Sequence, residues 1–132
     1  MVKVPHGSAE MKQATARARE TIDEFIEALE AGSPDSYGFT VSVPVRDGDL
    51  VEHMWLTDVV SSCGRLSGRI DNKPQKVSTA KLGQRLSVAK NEINDWMYFR
   101  GPRAIGNRTL RVLLADMPED QAEALKLQLG WD

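Results

Sequence analysis

The sequence predicts a single α+β domain, with an N-terminal helix, an antiparallel β-meander or partly open small barrel, and C-terminal helices. Apolar residues recur at three- and four-residue spacing near the start, alternate with polar residues through the middle, and return to helical spacing near the end. At 132 residues, 41% hydrophobic and 27% charged, the chain has the size and composition of one globular domain, 1–132, with a real core.

The leading helix is expected over 8–31. Ala14, Ala18, Ile22, Phe25, Ile26 and Leu29 form one apolar stripe, and Glu20, Asp23, Glu24 and Glu27 fall away from it. Ser8 is the candidate start, without an acidic partner at Met11, and Gly32 and Pro34 stop the helix. Tyr37, Phe39, Val41, Val43 and Val45 then alternate as a strand, in which Pro44 marks an edge or an end because it lacks an amide donor. Asp47-Gly48 suits a hairpin turn into a second strand, Leu50 to Thr57. Further strands are expected at Arg65–Ile70, Gln84–Ala89 and Asp95–Phe99, with turns at Asn72–Pro74 and Leu82-Gly83. The tail, 109–129, reads as two helices, Thr109–Met117 and Pro118–Leu129, the second with acidic residues near its N-terminus.

Several classes are set aside by composition. No apolar run approaches the ~20 residues of a membrane helix, and no basic start precedes an apolar stretch, so the expected location is the cytoplasm, with no membrane partner. Cys63 is the single cysteine and only two histidines accompany it, so no metal site and no cofactor is expected. Net charge is -2, but residues 60–111 hold eleven basic side chains against three acidic, while residues 1–59 hold five against eleven. That basic centre is either neutralised by the acidic ends or gathered into a face that attracts an anion.

The stretches VEHMWL, SGRIDNKP, LGQRLSV, INDWMYF and GNRTLRVLL, taken in this order and spacing, resemble the bacterial YegJ-like family, a domain of unknown function numbered twenty-three fourteen. The resemblance covers 37–114, most of the chain. It implies a small α+β fold and carries no established activity.

Candidate functional residues follow from chemistry. His53 shares a strand face with Val51 and Trp55; a core Trp55 would hold it half buried and hydrogen-bonded, whereas an open one would leave a general base or an anion donor. Glu52 points the other way, so an acid partner must come from elsewhere, and Asp95, an acid among apolar neighbours, is the candidate. As a catalytic pair, His53 would handle a proton and Asp95 orient it. Arg69 and Asn72 in GRIDNKP, and Arg103, Asn107 and Arg108 in GPRAIGNRT, are candidate ligand-binding residues, because arginine presents paired donors to phosphate or carboxylate. Trp96 and Tyr98 would flank a nucleic-acid surface if exposed.

The first expectation is therefore a binding or interaction module for an anionic ligand or an acidic protein surface, with RNA a weaker candidate and a homodimer compatible. The alternative is a hydrolase or transferase using His53 and Asp95 with Arg69 or Arg108 steadying negative charge. A third reading is a structural accessory domain.

Overall fold

The structure, a computed structural model that describes residues 9–131, runs α1 (Ala9–Glu20), α2 (Ile22–Ala31), β1 (Ser36–Asp47), β2 (Leu50–Ser62), β3 (Arg65–Ile70), β4 (Arg85–Ala89), a 3-10 turn (Lys90–Glu92), β5 (Asp95–Arg100), β6 (Arg103–Gly106), α3 (Arg108–Leu114) and α4 (Glu119–Leu129). All strands pair antiparallel in one open sheet, ordered β4-β3-β2-β1-β5-β6. The α+β expectation holds, in its open form: the first four strands are a meander, and the chain then passes to the other side of β1 for the β5-β6 hairpin.

Alternation puts Val41, Val43 and Val45 of β1 and Met54 and Leu56 of β2 on one face. The core continues through Leu66 and Ile70 of β3 and Trp96 and Tyr98 of β5, and Ala18, Ile22 and Phe25 of the leading helices pack into it. Burying several such side chains, at roughly 1.5–3 kcal/mol each, is the main stabilising term here. The loop 71–84 completes this core with Val77 and Ala80. Glu52 holds the loop by accepting the amides of Gln75, Lys76 and Val77, and Asp47 accepts the amide and hydroxyl of Ser78. These donors hold both carboxyls below their ordinary values. On the opposite face a second core joins Met97, Phe99 and Ala104 to Leu110 and Leu114 of α3, Ala122, Leu125 and Leu129 of α4, and Trp131.

Three departures from the expected elements have local causes. Instead of one helix over 8–31 there are two, whose expected start, Ser8, lies outside the described residues. The break is at Thr21, whose hydroxyl bonds back to the Arg17 carbonyl at 2.7 Å, while the Ala18 carbonyl accepts the Trp96 indole N–H at 3.0 Å. Strand β2 runs on to Ser62, because the turn residues Cys63 and Gly64 both take positive φ, 51° and 77°, which suits a two-residue hairpin loop. Its pairing with β1 ends at Val41↔Leu56, and between Thr57 and Val60, around Asp58 (φ 51°), its register against β3 shifts. Finally, Arg103–Gly106, expected to be loop, pairs back on β5 from Arg100↔Arg103 to Met97↔Gly106. A strand of four residues, Arg103–Gly106, is too short to show a period.

Candidate functional site

Strand β5 starts only at Asp95, opposite Ser42, so the half of β1 after Ser42 has β2 as its sheet neighbour and no β5 strand on its other side. Helix α1 passes over this gap and reaches α3. Between them lies a cleft of about 680 Å³. Its floor is the outer face of the β1-β2 hairpin, Ser42, His53 and Trp55 with Arg46. One wall is α1, through Lys12, Thr15, Ala16 and Arg19, and the other is α3, through Thr109 and Leu113, with Asn94 at the corner.

His53 Nδ1 lies 2.8 Å from Asn94 Nδ2. With the amide as donor, this nitrogen accepts, and the neutral ring carries its proton on Nε2. Asn94 is buried and held through its own amide, which donates to the Ser42 carbonyl at 2.7 Å. Arg19 donates through Nε to the Ile93 carbonyl at 2.8 Å, which fixes the guanidinium at the cleft wall. Trp55 is half buried and forms an apolar floor.

A second cavity of about 370 Å³ adjoins the first, since Trp55, Thr109 and Leu113 line both. It is bounded by Thr40 and Met97 on the sheet, Asp71 and Asn72 at the end of β3, and Asn107 and Leu110 at the start of α3. Asn72 is positioned by the Trp55 amide, which donates to its Oδ1 at 3.0 Å.

The wall that serves both cavities is clamped by Asp95. This residue is fully buried, and its carboxylate accepts the Thr109 hydroxyl at 2.7 Å, the Thr109 amide at 2.9 Å and the Trp96 amide at 2.9 Å. Burial pushes its carboxyl above the ordinary value, against the opposing pull of Thr109 and then of the Trp96 and Arg108 amides. The expected pairing of Asp95 with His53 is replaced by Asn94 with His53. Strand β5 begins at Asp95, and Asn94 lies in the preceding bend, free of strand alternation, so its side chain reaches His53.

The remaining expected site residues part company. Trp96 and Tyr98 are 2% and 4% exposed and belong to the core with Phe25, so they flank no surface. Arg69 is exposed and paired with Asp58. Arg108 places its guanidinium 5.0 Å from the Trp96 ring centroid and lines neither cavity. Arg103 is exposed on β6, and it and Arg108 lie close enough to Arg111 to disfavour the Arg111 charge, after burial of that group against Trp131. Asn72 and Asn107 do meet, at the second cavity. The basic centre of the sequence is thus distributed, with Lys90 on Asp23 and Arg65 on Ser87.

The cleft's own cations, Lys12, Arg19 and Arg46, come from the acidic first half and were missed. A signal existed: Lys12, Thr15, Ala16 and Arg19 stand at i, i+3, i+4 and i+7, a polar stripe beside the apolar one, and Arg46 alternates in phase with Ser42. Nothing in that spacing says what the stripe faces.

Residues 8–132 match the family model described as "Uncharacterized protein conserved in bacteria (DUF2314)". The chain is 38% identical to the uncharacterized protein YegJ of Escherichia coli (strain K12) over 119 residues, 90% of this chain and 76% of that protein. It is 27% identical over 76 residues to a putative ankyrin repeat protein of Neisseria meningitidis serogroup B, 58% of this chain and 30% of that one. No solved structure matches.

Proposed function

The chain belongs to the bacterial family of uncharacterized proteins numbered DUF2314, and we propose that it binds a small organic anion in the cleft beside His53. One observation carries the reading. Lys12, Arg19, Arg46 and His53 converge on the cleft, and no carboxylate stands among the described residues that line it. Same-sign charge on low-dielectric walls raises the local concentration of anions, and a cleft of this volume suits a small molecule. Arg19 and Arg46 supply planar donors for a carboxylate or phosphate head, and Ser42 and Thr15 supply hydroxyls. Trp55 and Leu113 favour a ligand with an apolar or planar body.

An acidic protein surface is the weaker occupant, because the arginines that would meet it are spread over β3, β4 and β6 and partly paired. The hydrolase or transferase reading asks for an acid beside His53, where Asn94 stands, and for Arg69 or Arg108 at the same place, where neither lies. Titration of the protein with inorganic phosphate and with hexanoate at low ionic strength, followed by amide and indole NMR shifts, tests the proposal. Saturable shifts are expected at Ser42, His53, Trp55 and Asn94, with affinity falling about three- to tenfold in Arg46→Ala, the scale of one removed charge contact. Absence of saturable shifts at these residues, or equal affinity in the variant, overturns it.

A further inference from the structure

Trp55 stands apart from the other aromatic side chains. Phe25, Phe39, Trp96 and Tyr98 pack together, Tyr37 stacks on Phe99, and the Trp131 ring lies 3.7 Å from the Arg111 guanidinium. Among the described residues the Trp55 ring meets no such partner, its indole N–H donates to no acceptor, and its side chain belongs to neither core. It is half buried and lines both cavities, as does Leu113, which also lies outside the two cores. Large apolar surface left partly in water is unfavourable, and a ligand that covers it is stabilised in proportion to the area removed from water. The second cavity offers little besides such surface. Thr109 donates its hydroxyl to Asp95, the Asn72 side chain is taken by the Trp55 amide and Met54 Sδ, and Thr40 Oγ1 and Asn107 Oδ1 are sealed from solvent. Arg108 Nη1, another sealed atom without a partner, belongs to a side chain that lines neither cavity. What a ligand meets there is Trp55, Met97, Leu110 and Leu113, with the exposed Asp71 beside them.

We infer that the second cavity holds the aromatic ring of the same ligand whose anionic end occupies the first, which makes the ligand class an aryl-substituted organic acid. This rests on the anion reading above. The cavities meet at Trp55, Thr109 and Leu113, so one molecule spans them with its acid among Lys12, Arg19 and Arg46 and its ring beside Trp55. Charge fixes that direction: the cations line the first cavity, and Asp71 is the charged side chain at the second. An aromatic ring suits the second cavity better than a saturated one of the same size. An offset or edge-on pair with an indole contributes beyond the area it buries, and the polarizable Met97 sulfur makes a favourable contact at a ring edge. Such a ring also gives Trp55 the partner that every other Phe, Tyr and Trp ring of the chain already has.

The test uses three acids on the intact protein: butanoate, 4-phenylbutanoate and 4-cyclohexylbutanoate, followed by NMR. The phenyl acid is expected to bind about tenfold more tightly than butanoate, the scale of half-burying one ring, with shifts at the Trp55 indole and at the Met97, Leu110 and Leu113 methyls. It is expected to bind about two- to tenfold more tightly than the cyclohexyl acid, the scale of one aromatic pair. The saturated ring is the more apolar of the two, so a cavity that is only apolar gives the reverse order, and that order overturns the inference. Equal affinity for butanoate and the phenyl acid, or a phenyl acid that leaves the Met97 and Leu110 methyls unshifted, overturns it while the anion site stands. No binding by any of the three overturns both. Two variants sharpen the result without being needed for it. In Trp55→Leu the preference for phenyl over cyclohexyl is expected to vanish, and in Leu110→Trp, which fills the second cavity, the advantage of the phenyl acid over butanoate is expected to fall below about threefold; an undiminished preference in both folded variants overturns the placement of the ring.

Discussion

Thr109→Val removes a single hydroxyl from the wall of both cavities and leaves the shape of the side chain nearly unchanged. In the protein that hydroxyl donates to Asp95 Oδ2 at 2.7 Å, and the Thr109 amide donates to the same oxygen at 2.9 Å. A hydrogen bond to a charged group contributes about 1.5–3 kcal/mol, and Asp95 is fully buried, so no solvent replaces the lost donor. We expect a loss of about 2 kcal/mol at neutral pH. With a urea m-value of about 1–3 kcal/mol/M, the unfolding midpoint falls by roughly 1 M. The pH dependence is a second, independent signature. Burial already raises the Asp95 pKa above 3.8, and the Thr109 hydroxyl pulls it back, so the variant raises it further. A raised carboxyl pKa means that the folded state binds its proton more tightly than the unfolded state. Its ionisation therefore costs stability at neutral pH, and that cost is relieved as pH falls through the folded pKa. The gap between variant and wild type should accordingly narrow as pH falls from 7 toward 3.8. A difference under ~0.5 kcal/mol at pH 7, or a gap that widens on acidification, refutes the role of Asp95 as the clamp of α3.

Glu52→Gln is expected to speed hydrogen exchange at the Gln75, Lys76 and Val77 amides while leaving β5 protected; unchanged exchange would mean that Glu52 does not hold the loop. Because the folded pKa values of Glu52 and Asp47 are lowered, their contribution is present above the ordinary carboxyl range and is lost as pH falls through the folded values, so wild type should show the same loop opening in acid. Trp131→Ala removes a 6% exposed side chain, its 2.8 Å bond to the Ala104 carbonyl and the Arg111 guanidinium 3.7 Å from its ring. A cost of about 3–5 kcal/mol is expected in urea unfolding, and a change below ~1 kcal/mol would show that the second core does not depend on it.

Local pattern and tertiary placement divided the work along a clear physical line. Hydrophobic period is a property of neighbouring residues, so α4, β3, β5 and the Asp47-Gly48 hairpin were legible in the sequence, and so was the α+β class. Breaks in period were harder. Thr21 divides the leading helix through a hydroxyl and through an indole that arrives from β5, 78 positions from Ala18 along the chain, and no local window contains that indole. The candidate site was legible only in part: His53, Asn72 and Asn107 were singled out by residue type, and they line the two cavities. What the sequence by itself determined was which faces are apolar, which strands turn back on each other and which side chains carry charge. Tertiary structure alone decided which charges meet. It brought Lys12 and Arg19 of α1 over Arg46 and His53 of the hairpin and spread the basic centre over several faces. It also put Asn94 where an acid was expected. The reason is that helix and strand periods specify direction around one element, whereas a site is made where separate elements converge, and that convergence is set by the packing of the two cores.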